Sequence, residues 1–242
     1  VTKAVTRSGF KSYTSSLLEK SNFIKSLQWV PRVKKEQRSS LEAMAQDDGF
    51  INFKFTALNK NLTIIPAPSK SEYFPIYYME PLIGNEPYLG FDISTQPVIR
   101  TLMNQARDTG KTVAITTGDL IHKDTKTKLI MFFCPFYEGQ SIPQNIESRK
   151  RLFLGTVIGT YEIKNLIKEI IAPYIAPGMF LTVIDYERKN KLYGNFKSDS
   201  LIKKEIELKF SQIYWNLVWQ GNLTFQQGPN RLHNWLSAAV LI

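Results

Sequence analysis

The chain has 242 residues, 43% of them hydrophobic and 12% aromatic, and it contains 13 glycines and 12 prolines. This composition excludes a disordered chain, a collagen-like repeat and a short peptide scaffold, and it allows one large domain or two smaller ones. A single cysteine excludes a disulfide framework, and one cysteine with two histidines cannot form an ordinary Cys/His zinc site.

The net charge of +10 is compatible with binding to nucleic acid or to an anionic membrane surface. However, the basic residues form short, separated clusters such as Arg149–Arg151 and Arg188–Lys191, with no basic tail or stripe. A nucleic-acid partner is therefore not expected, and a basic nucleic-acid-binding module is kept only as an alternative. The longest uncharged apolar stretches, Leu129–Tyr137 and Leu152–Tyr161, are shorter than the roughly 18 to 20 residues needed to cross a bilayer.

Near the amino terminus, apolar residues recur at intervals of three and four, which predicts a helix with a narrow apolar seam. The seam consists of Phe10, Tyr13, Leu17, Ile24 and Leu27, with Lys20 at the one missing place. Two interpretations are open: a surface helix that packs on its own domain, or a stalk whose seam meets a partner helix. Pro31 is expected to end this helix, and a second helix is predicted from Lys34 or Lys35 to Gln46, closing at Gly49.

The middle of the chain mixes predicted strands and helices. Strands are predicted at Ile51–Phe55 and Tyr73–Tyr78, with a loop around a brief apolar strand between them. A helix with Pro97 in its first turn is predicted, capped by Ser94 or Thr95 and ending at Gly110. Its expected inner face consists of Val98, Ile99, Leu102, Met103 and Ala106. Further strands are predicted at Thr112–Thr116, Lys128–Tyr137 and Leu152–Tyr161, followed by an amphipathic helix that Pro173 terminates.

A segment rich in proline and glycine at 172–178 predicts a hinge between two domains. Beyond it, short strands are predicted at Phe180–Asp185, Lys191–Gly194, Glu205–Phe210, Tyr214–Trp219 and Asn222–Phe225. The resulting fold class is α+β, in two unequal parts. The final apolar run, Trp235–Ile242, is either the beginning of a membrane-spanning helix or a buried terminal helix.

Residue types with catalytic potential are few, and none stands in a complete catalytic motif. Asp108-Thr109-Gly110 matches the triplet of aspartic proteases, but that chemistry needs two such carboxylates, so the triplet is interpreted as the end of a helix. Cys134 lies in an apolar strand and is expected to be a buried core residue. His122 and His233 are expected at the surface, with no nucleophile at a recognisable spacing. No catalytic residue, metal site or cofactor is therefore predicted.

The most unusual stretch is Tyr73–Asp92, in which aromatic residues, prolines and glycines surround Glu80, Glu86 and Asp92. This composition is typical of a small-molecule pocket with aromatic walls and a few fixed polar groups, and equally of a long aromatic loop that covers the core. A hydrolase that uses Asp92 with Glu80 or Glu86 is an alternative from another functional class.

Several ordered motifs between Leu27 and Ile171 resemble the CHASE domain. They are Leu27–Val33, Tyr73–Asp92, Ala106–Lys111, Phe133–Tyr137 and Arg149–Gly159. CHASE domains are extracytoplasmic sensors of membrane-bound histidine kinases and nucleotide cyclases. The resemblance therefore implies a non-enzymatic periplasmic or extracellular domain of a plasma-membrane receptor, flanked by transmembrane helices. Its signal would pass to a cytoplasmic histidine kinase or diguanylate cyclase/phosphodiesterase.

The resemblance also implies a long stalk helix followed by two PAS-like modules, each an antiparallel sheet with flanking helices. The corresponding divisions are residues 1–48 for the stalk and second helix, 49–172 for the membrane-distal ligand-binding module and 173–242 for the membrane-proximal module. In the full receptor, the stalk helices would form a homodimer.

For the ligand site, the resemblance implies one carboxylate and one facing backbone group, at Asp92 and Ala114. The implied pocket walls are Tyr77, Met79, Leu82, Phe91, Phe132, Pro135, Tyr137 and Gly159. An Asp92 that binds ligand should be unpaired without it, whereas an Asp92 that only caps the following helix should already be satisfied. The ligand itself is not implied, because the cytokinin-binding members lack the Glu80–Glu86 loop and Ile121–Lys123 stands where many bacterial members have Gln-Glu.

Overall fold

The computed structural model describes residues 5–59, 61, 63–117, 127–139 and 141–226. The predicted carboxy-terminal apolar run and both histidines, His122 and His233, lie outside these described residues.

Helices and strands alternate irregularly along the described chain. The helices are α1 (Arg7–Leu18), α2 (Arg38–Asp47), α3 (Pro97–Thr109), α4 (Ile146–Leu152), α5 (Ile163–Ile170) and α6 (Leu223–Gln226). The strands are β1 (Ile24–Pro31), β2 (Val33–Lys34), β3 (Thr56–Leu58), β4 (Ile64–Pro66), β5 (Glu72–Tyr73), β6 (Tyr78–Glu80), β7 (Val113–Thr117), β8 (Leu129–Tyr137), β9 (Phe153–Glu162), β10 (Met179–Asp185), β11 (Lys191–Tyr193), β12 (Ile202–Phe210) and β13 (Ile213–Gly221).

The strands form a five-stranded sheet in the order β6-β1-β9-β8-β7 and a four-stranded sheet in the order β11-β10-β13-β12. Two small ribbons pair β2 with β5 and β3 with β4. The pairs β1/β6, β10/β11, β10/β13 and β12/β13 are all antiparallel. The structure is therefore a mixed α and β fold with antiparallel sheets, which confirms the predicted class at this level.

The amino-terminal helix is shorter than the seam predicted. Helix α1 begins after Thr6, whose hydroxyl accepts a hydrogen bond from the Gly9 N–H at 3.1 Å, and it ends at Leu18. Ile24 and Leu27 lie instead in β1, and Pro31 is the last residue of that strand. The predicted helix through Leu27 is wrong because β1 is buried on both faces between β6 and β9, so its apolar residues follow no single period.

Most of the other predicted helices and strands are confirmed, and a few are wrong. Helices α2, α3 and α5 and strands β4 and β7 to β13 lie where the sequence predicts them, within a few residues. Ile51–Phe55 is not a strand, Asn222–Phe225 falls in α6 rather than in a strand, and Tyr73–Tyr78 touches two separate short strands. Helix α4 was not predicted.

The end of helix α3 and most of its buried face were predicted correctly, but its amino-terminal cap was not. It ends as predicted, with Gly110 in the left-handed region at a φ of 69°. Its cap position is Gln96 rather than Ser94 or Thr95, and Val98 is exposed. The remaining predicted face residues, Ile99, Leu102, Met103 and Ala106, are buried.

Cys134 is exposed, so its predicted place in the core is wrong. Strand β8 alternates between a buried face, with Phe133 and Tyr137, and a more open face, with Phe132, Cys134 and Phe136. The apolar sequence around Cys134 did not distinguish the two faces.

The chain divides into two compact units. Unit 1 comprises Val1–Ser21, Lys25–Val113 and Phe132–Thr160, and unit 2 comprises Asn22–Ile24, Ala114–Met131 and Tyr161–Ile242. Unit 1 has its core around Trp29, Phe55, Ile76, Ile99 and Phe133, all almost fully buried. The core of unit 2 includes Ile163, Ile167, Val183 and Val218. The division into stalk and two PAS-like modules, with boundaries at 48/49 and 172/173, stays a prediction.

Candidate functional site

Asp92 is the carboxylate that the resemblance implies for the ligand site, and it is 0% exposed. Its backbone N–H donates to Thr56 O at 2.8 Å. Its carboxylate oxygen Oδ1 accepts hydrogen bonds from Phe74 N at 3.1 Å, from Ser94 N at 3.2 Å and from Ser94 Oγ at 2.7 Å. Through these bonds Asp92 also caps the short 3-10 turn Ile93–Thr95.

The second carboxylate oxygen of Asp92 faces a cation. Lys70 Nζ lies 2.5 Å from Asp92 Oδ2 and donates to Ser94 Oγ at 3.0 Å. Oδ2 makes no hydrogen bond of normal geometry, so the ion pair is what balances it. Asp92 is therefore already satisfied without ligand, as the capping interpretation requires. A ligand that bound this carboxylate would have to displace Lys70 or Ser94.

Tyr77, an aromatic residue of the predicted pocket wall, lies in a packed aromatic cluster. The Tyr77 ring lies 5.6 Å from that of Phe53, edge to face, and 4.9 Å from that of Tyr78. The Tyr77 hydroxyl donates to Leu41 O at 3.2 Å. Met79, two residues further along, is buried as well. This part of the predicted wall is thus a close-packed apolar region with one satisfied hydroxyl.

Burial raises the pKa of the Tyr77 hydroxyl to about 12. Because an unfolded tyrosine has a pKa of about 10, the folded chain holds this proton to higher pH. Titration of the Tyr77 hydroxyl should therefore not change the free energy of unfolding below about pH 10. As pH rises from about 10 to 12, the free energy of unfolding should fall, because the unfolded chain loses this proton first. Urea unfolding across this range should show a smaller fall in Tyr77→Phe than in the wild type.

A matched control for that titration is Tyr13→Phe, which changes an exposed tyrosine and should keep the wild-type pH dependence. Equal pH dependence in Tyr77→Phe and the wild type would contradict the role given to Tyr77.

Three of the remaining predicted wall residues belong to β8, and their side chains do not all lie on the same face of that strand. Phe132 lies on the more open face of β8, whereas Pro135 and Tyr137 lie on the opposite face. The Tyr137 hydroxyl donates to Arg107 O at 2.5 Å. Leu82 is half-buried, and Phe91 and Gly159 are buried. Strand alternation therefore separates Phe132 from Pro135 and Tyr137.

The Ala114 backbone is already hydrogen-bonded within unit 2. Its N–H donates to Ser211 Oγ at 3.0 Å, and its carbonyl oxygen accepts from Gln212 N at 3.3 Å. A ligand that used this N–H would have to replace the Ser211 hydroxyl.

Several buried polar atoms of unit 1 have no hydrogen-bond partner among the residues that the structure describes. They include Gln28 Oε1, Thr156 Oγ1 and Thr160 Oγ1. An unpartnered buried group typically costs about 1 to 3 kcal/mol, so three on neighbouring strands call for an occupant. These residues were not predicted from sequence, where the only signal was two threonines, four positions apart, in an otherwise apolar strand. Lys70 was not predicted either, since no sequence pattern pairs it with Asp92.

A cavity of about 230 Å³ lies elsewhere among the residues of unit 1. It is lined by Pro31, Arg32, Val33, Lys34, Gln37, Leu41, Arg151, Phe153 and Leu154. Its lining is basic, although Arg32 Nε is paired with Glu72 Oε2 at 2.8 Å. None of the predicted site residues lines this cavity, and its charge suits an anion rather than a flat apolar ligand.

Within the part of the chain that the structure describes, no cluster of three or more His, Cys, Asp or Glu side chains is placed to hold a metal ion. No helix among the described residues is long and apolar enough to cross a membrane.

Comparison with known proteins finds a curated relative and similar solved structures. The relative is hybrid signal transduction histidine kinase A of Dictyostelium discoideum, 21% identical over 154 residues. The match covers 60% of this chain but only 7% of that protein. Among the similar solved structures is the ligand-binding domain of the Pseudomonas aeruginosa PAO1 amino acid chemoreceptor PctC in complex with GABA, with 8% identity and a TM-score of 0.40. That superposition covers 91% of this chain and 83% of the chemoreceptor domain.

A family model identifies the chain directly. The model of the CHASE domain matches residues 3–193, which is most of the sequence. The match includes all of the motifs on which the resemblance rested, from Leu27–Val33 to Arg149–Gly159. The chain therefore belongs to the CHASE domain family.

Proposed function

We propose that this chain is the ligand-sensing region of a transmembrane receptor whose cytoplasmic output is a histidine kinase or a diguanylate cyclase/phosphodiesterase. The observation that carries the proposal is the CHASE family match over residues 3–193, because CHASE domains are extracytoplasmic sensor domains. The curated relative is itself a hybrid histidine kinase, which favours a kinase output. Since the chain spans only a small fraction of that relative, the output is part of the proposal.

The ligand is a small molecule that binds against the aromatic and apolar residues of unit 1. The proposed wall consists of Tyr77, Met79, Leu82, Phe91, Phe132, Pro135, Tyr137 and Gly159. Asp92 completes the proposed site in unit 1 after its present partner gives way. Buried aromatic and apolar side chains beside a few fixed polar groups are the residue types that line small-molecule sites, and this composition supports such a role.

A thermal-shift screen of purines, amino acids and small carboxylates tests this proposal. A ligand at about 100 times its dissociation constant stabilises the fold by roughly 2.7 kcal/mol, which corresponds to about 5 to 10 °C for a chain of this size. Leu82→Glu should remove most of that shift, because it places a charge in the apolar wall.

The matched control is the neighbouring residue Ile83, which is 89% exposed. Ile83→Glu adds the same charge one position away and should keep the full ligand shift. A screen in which no compound raises the melting temperature would contradict the sensor proposal. A shift that survives in Leu82→Glu would remove Leu82 from the site.

Homodimerisation through α1 is the second part of the proposal. Phe10 packs against Tyr78 with ring centres 5.9 Å apart, whereas Tyr13 and Leu17 are exposed. Two exposed apolar residues on a helix of 12 residues favour dimerisation only weakly without membrane anchoring. Sedimentation should therefore show mostly monomer for both the wild type and Leu17→Glu. A tight dimer that Leu17→Glu leaves intact would contradict this interface.

The alternatives from other functional classes gain little support. A hydrolase that used Asp92 would need a carboxylate accessible to substrate, but Asp92 is buried and ion-paired. A nucleic-acid module would need a continuous basic surface, and no such pattern is evident in the sequence.

A further inference from the structure

We infer that the ligand site of unit 1 includes a polar row formed by Gln28 on β1 and by Thr156 and Thr160 on β9. This row suits an uncharged ligand that carries amide, amine or hydroxyl groups. The inference rests on the proposed sensor function and adds the chemical class of the ligand.

The row is defined by three atoms without a protein partner. Gln28 is 3% exposed, Thr156 is 0% exposed and Thr160 is 6% exposed. Gln28 Oε1, Thr156 Oγ1 and Thr160 Oγ1 are all buried and make no hydrogen bond. Gln28 Nε2 donates to Ser26 Oγ at 2.9 Å, which holds the amide and leaves Oε1 as its unused end.

The strands that carry these residues are neighbours in the five-stranded sheet. Arg32 N donates to Leu154 O at 2.8 Å, so the end of β1 lies against the beginning of β9. Along β9, alternation places Thr156, Ile158 and Thr160 on one face, all of them buried, while Val157 on the other face is only half-buried.

Gln28 lies on the same face as the threonines. Trp29, the next residue, points to the opposite face, where it contacts Phe136 edge to face at 5.6 Å. A Cβ on Gly155, which points to the face of β9 opposite Thr156, would lie 3.0 Å from Trp29 Cη2, so the Trp29 ring is on the face away from the threonines. Gln28 therefore shares the buried face with Thr156 and Thr160, and Met79 is its neighbour on β6.

The chemistry of the row determines what it can bind. Gln28 Oε1 accepts a hydrogen bond, and each threonine hydroxyl can donate one and accept one. No member of the row carries a charge, and the apolar Ile158 lies between the two threonines. A charged ligand group would lose its hydration here without gaining a counter-charge. An uncharged amide, amine or hydroxyl group would instead satisfy the row.

Buried water is the competing occupant, because ordered waters often satisfy such groups. The test uses thermal shifts with three neutral probes, nicotinamide, adenine and uracil, and three charged probes, glutamate, 4-aminobutyrate and citrate. At least one neutral probe should raise the melting temperature, and no charged probe should. Gln28→Met, which keeps the side-chain volume, should weaken the dissociation constant of that probe by about tenfold. Thr156→Val and Thr160→Val, which are nearly isosteric, should weaken it as well.

The matched control is Thr182→Val in unit 2, where another fully buried hydroxyl has no partner. It should leave the dissociation constant unchanged. Binding of a charged probe alone, or a dissociation constant that changes less than twofold in all three row variants, would overturn the inference and leave the sensor function standing. If no probe of either group binds, the inference is overturned, whereas the sensor function is decided by the wider screen of purines, amino acids and small carboxylates.

Discussion

Asp92→Ala is expected to lower the free energy of unfolding of the ligand-free chain by about 3 to 5 kcal/mol. The substitution removes the partner of a half-buried ammonium and strands the donors of Phe74 and Ser94, and breaking a pair whose carboxylate end is fully buried has about that cost. For a chain of this length the melting temperature should fall by roughly 6 to 20 °C. Differential scanning calorimetry measures both quantities.

Two further variants separate the parts of this effect. Asp92→Asn keeps the shape and an acceptor for Phe74 and Ser94 but loses the charge, so it should cost less than Asp92→Ala. Lys70→Met removes only the cation. In a double-mutant cycle of Asp92→Asn with Lys70→Met, the two changes should be less than additive, because each breaks the same ion pair.

A variant Asp92→Ala that is as stable as the wild type, or more stable, would contradict the ion pair with Lys70. If Asp92→Ala melts at or above the wild-type temperature, the carboxylate is unpaired in solution, as the ligand-binding interpretation of Asp92 requires. Asp92 would then be free to contact the ligand directly, and loss of the ligand shift in that variant would be expected.

Helices and strands could be predicted from the sequence where the apolar residues are regularly spaced and a glycine or proline marks the end of the element. Helix α3 has an amphipathic face and a glycine end, and strands β8 and β9 are long apolar runs. The error at Ile24 and Leu27 has a physical cause: a strand buried on both faces shows no alternation, so a helical spacing can arise in it by coincidence.

The site was less accessible to sequence reasoning than the fold. The partner of Asp92 is 22 positions away in the chain, and nothing local indicates that Lys70 reaches it. The resemblance named Phe132 and Pro135 together, yet strand alternation puts their side chains on opposite faces. Polar residues such as Gln28 became candidates only when the structure showed that they are buried without partners.

The close packing of the Tyr73–Asp92 stretch leads to a prediction about two of its glycines. Gly84 and Gly90 have nearly equal φ angles, +83° and +82°, so a side chain strains the backbone by a similar amount at both positions. That strain is about 1 to 2 kcal/mol. Their surroundings differ: a Cβ on Gly84 meets nothing within 4 Å, whereas a Cβ on Gly90 lies 2.3 Å from Lys54 O.

Gly84→Ala should therefore lower the free energy of unfolding by the strain alone, and Gly90→Ala by about 1 to 3 kcal/mol more. The backbone cannot shift cheaply at Gly90, because its N–H donates to Ile76 O at 2.9 Å and its carbonyl accepts from Thr56 N at 3.0 Å. Thr56 O in turn accepts from the Asp92 N–H, so a displacement there reaches the buried carboxylate. Urea unfolding of both variants measures the difference. Equal losses would mean that the contact with Lys54 relaxes freely and that the segment before Asp92 does not hold the carboxylate in place.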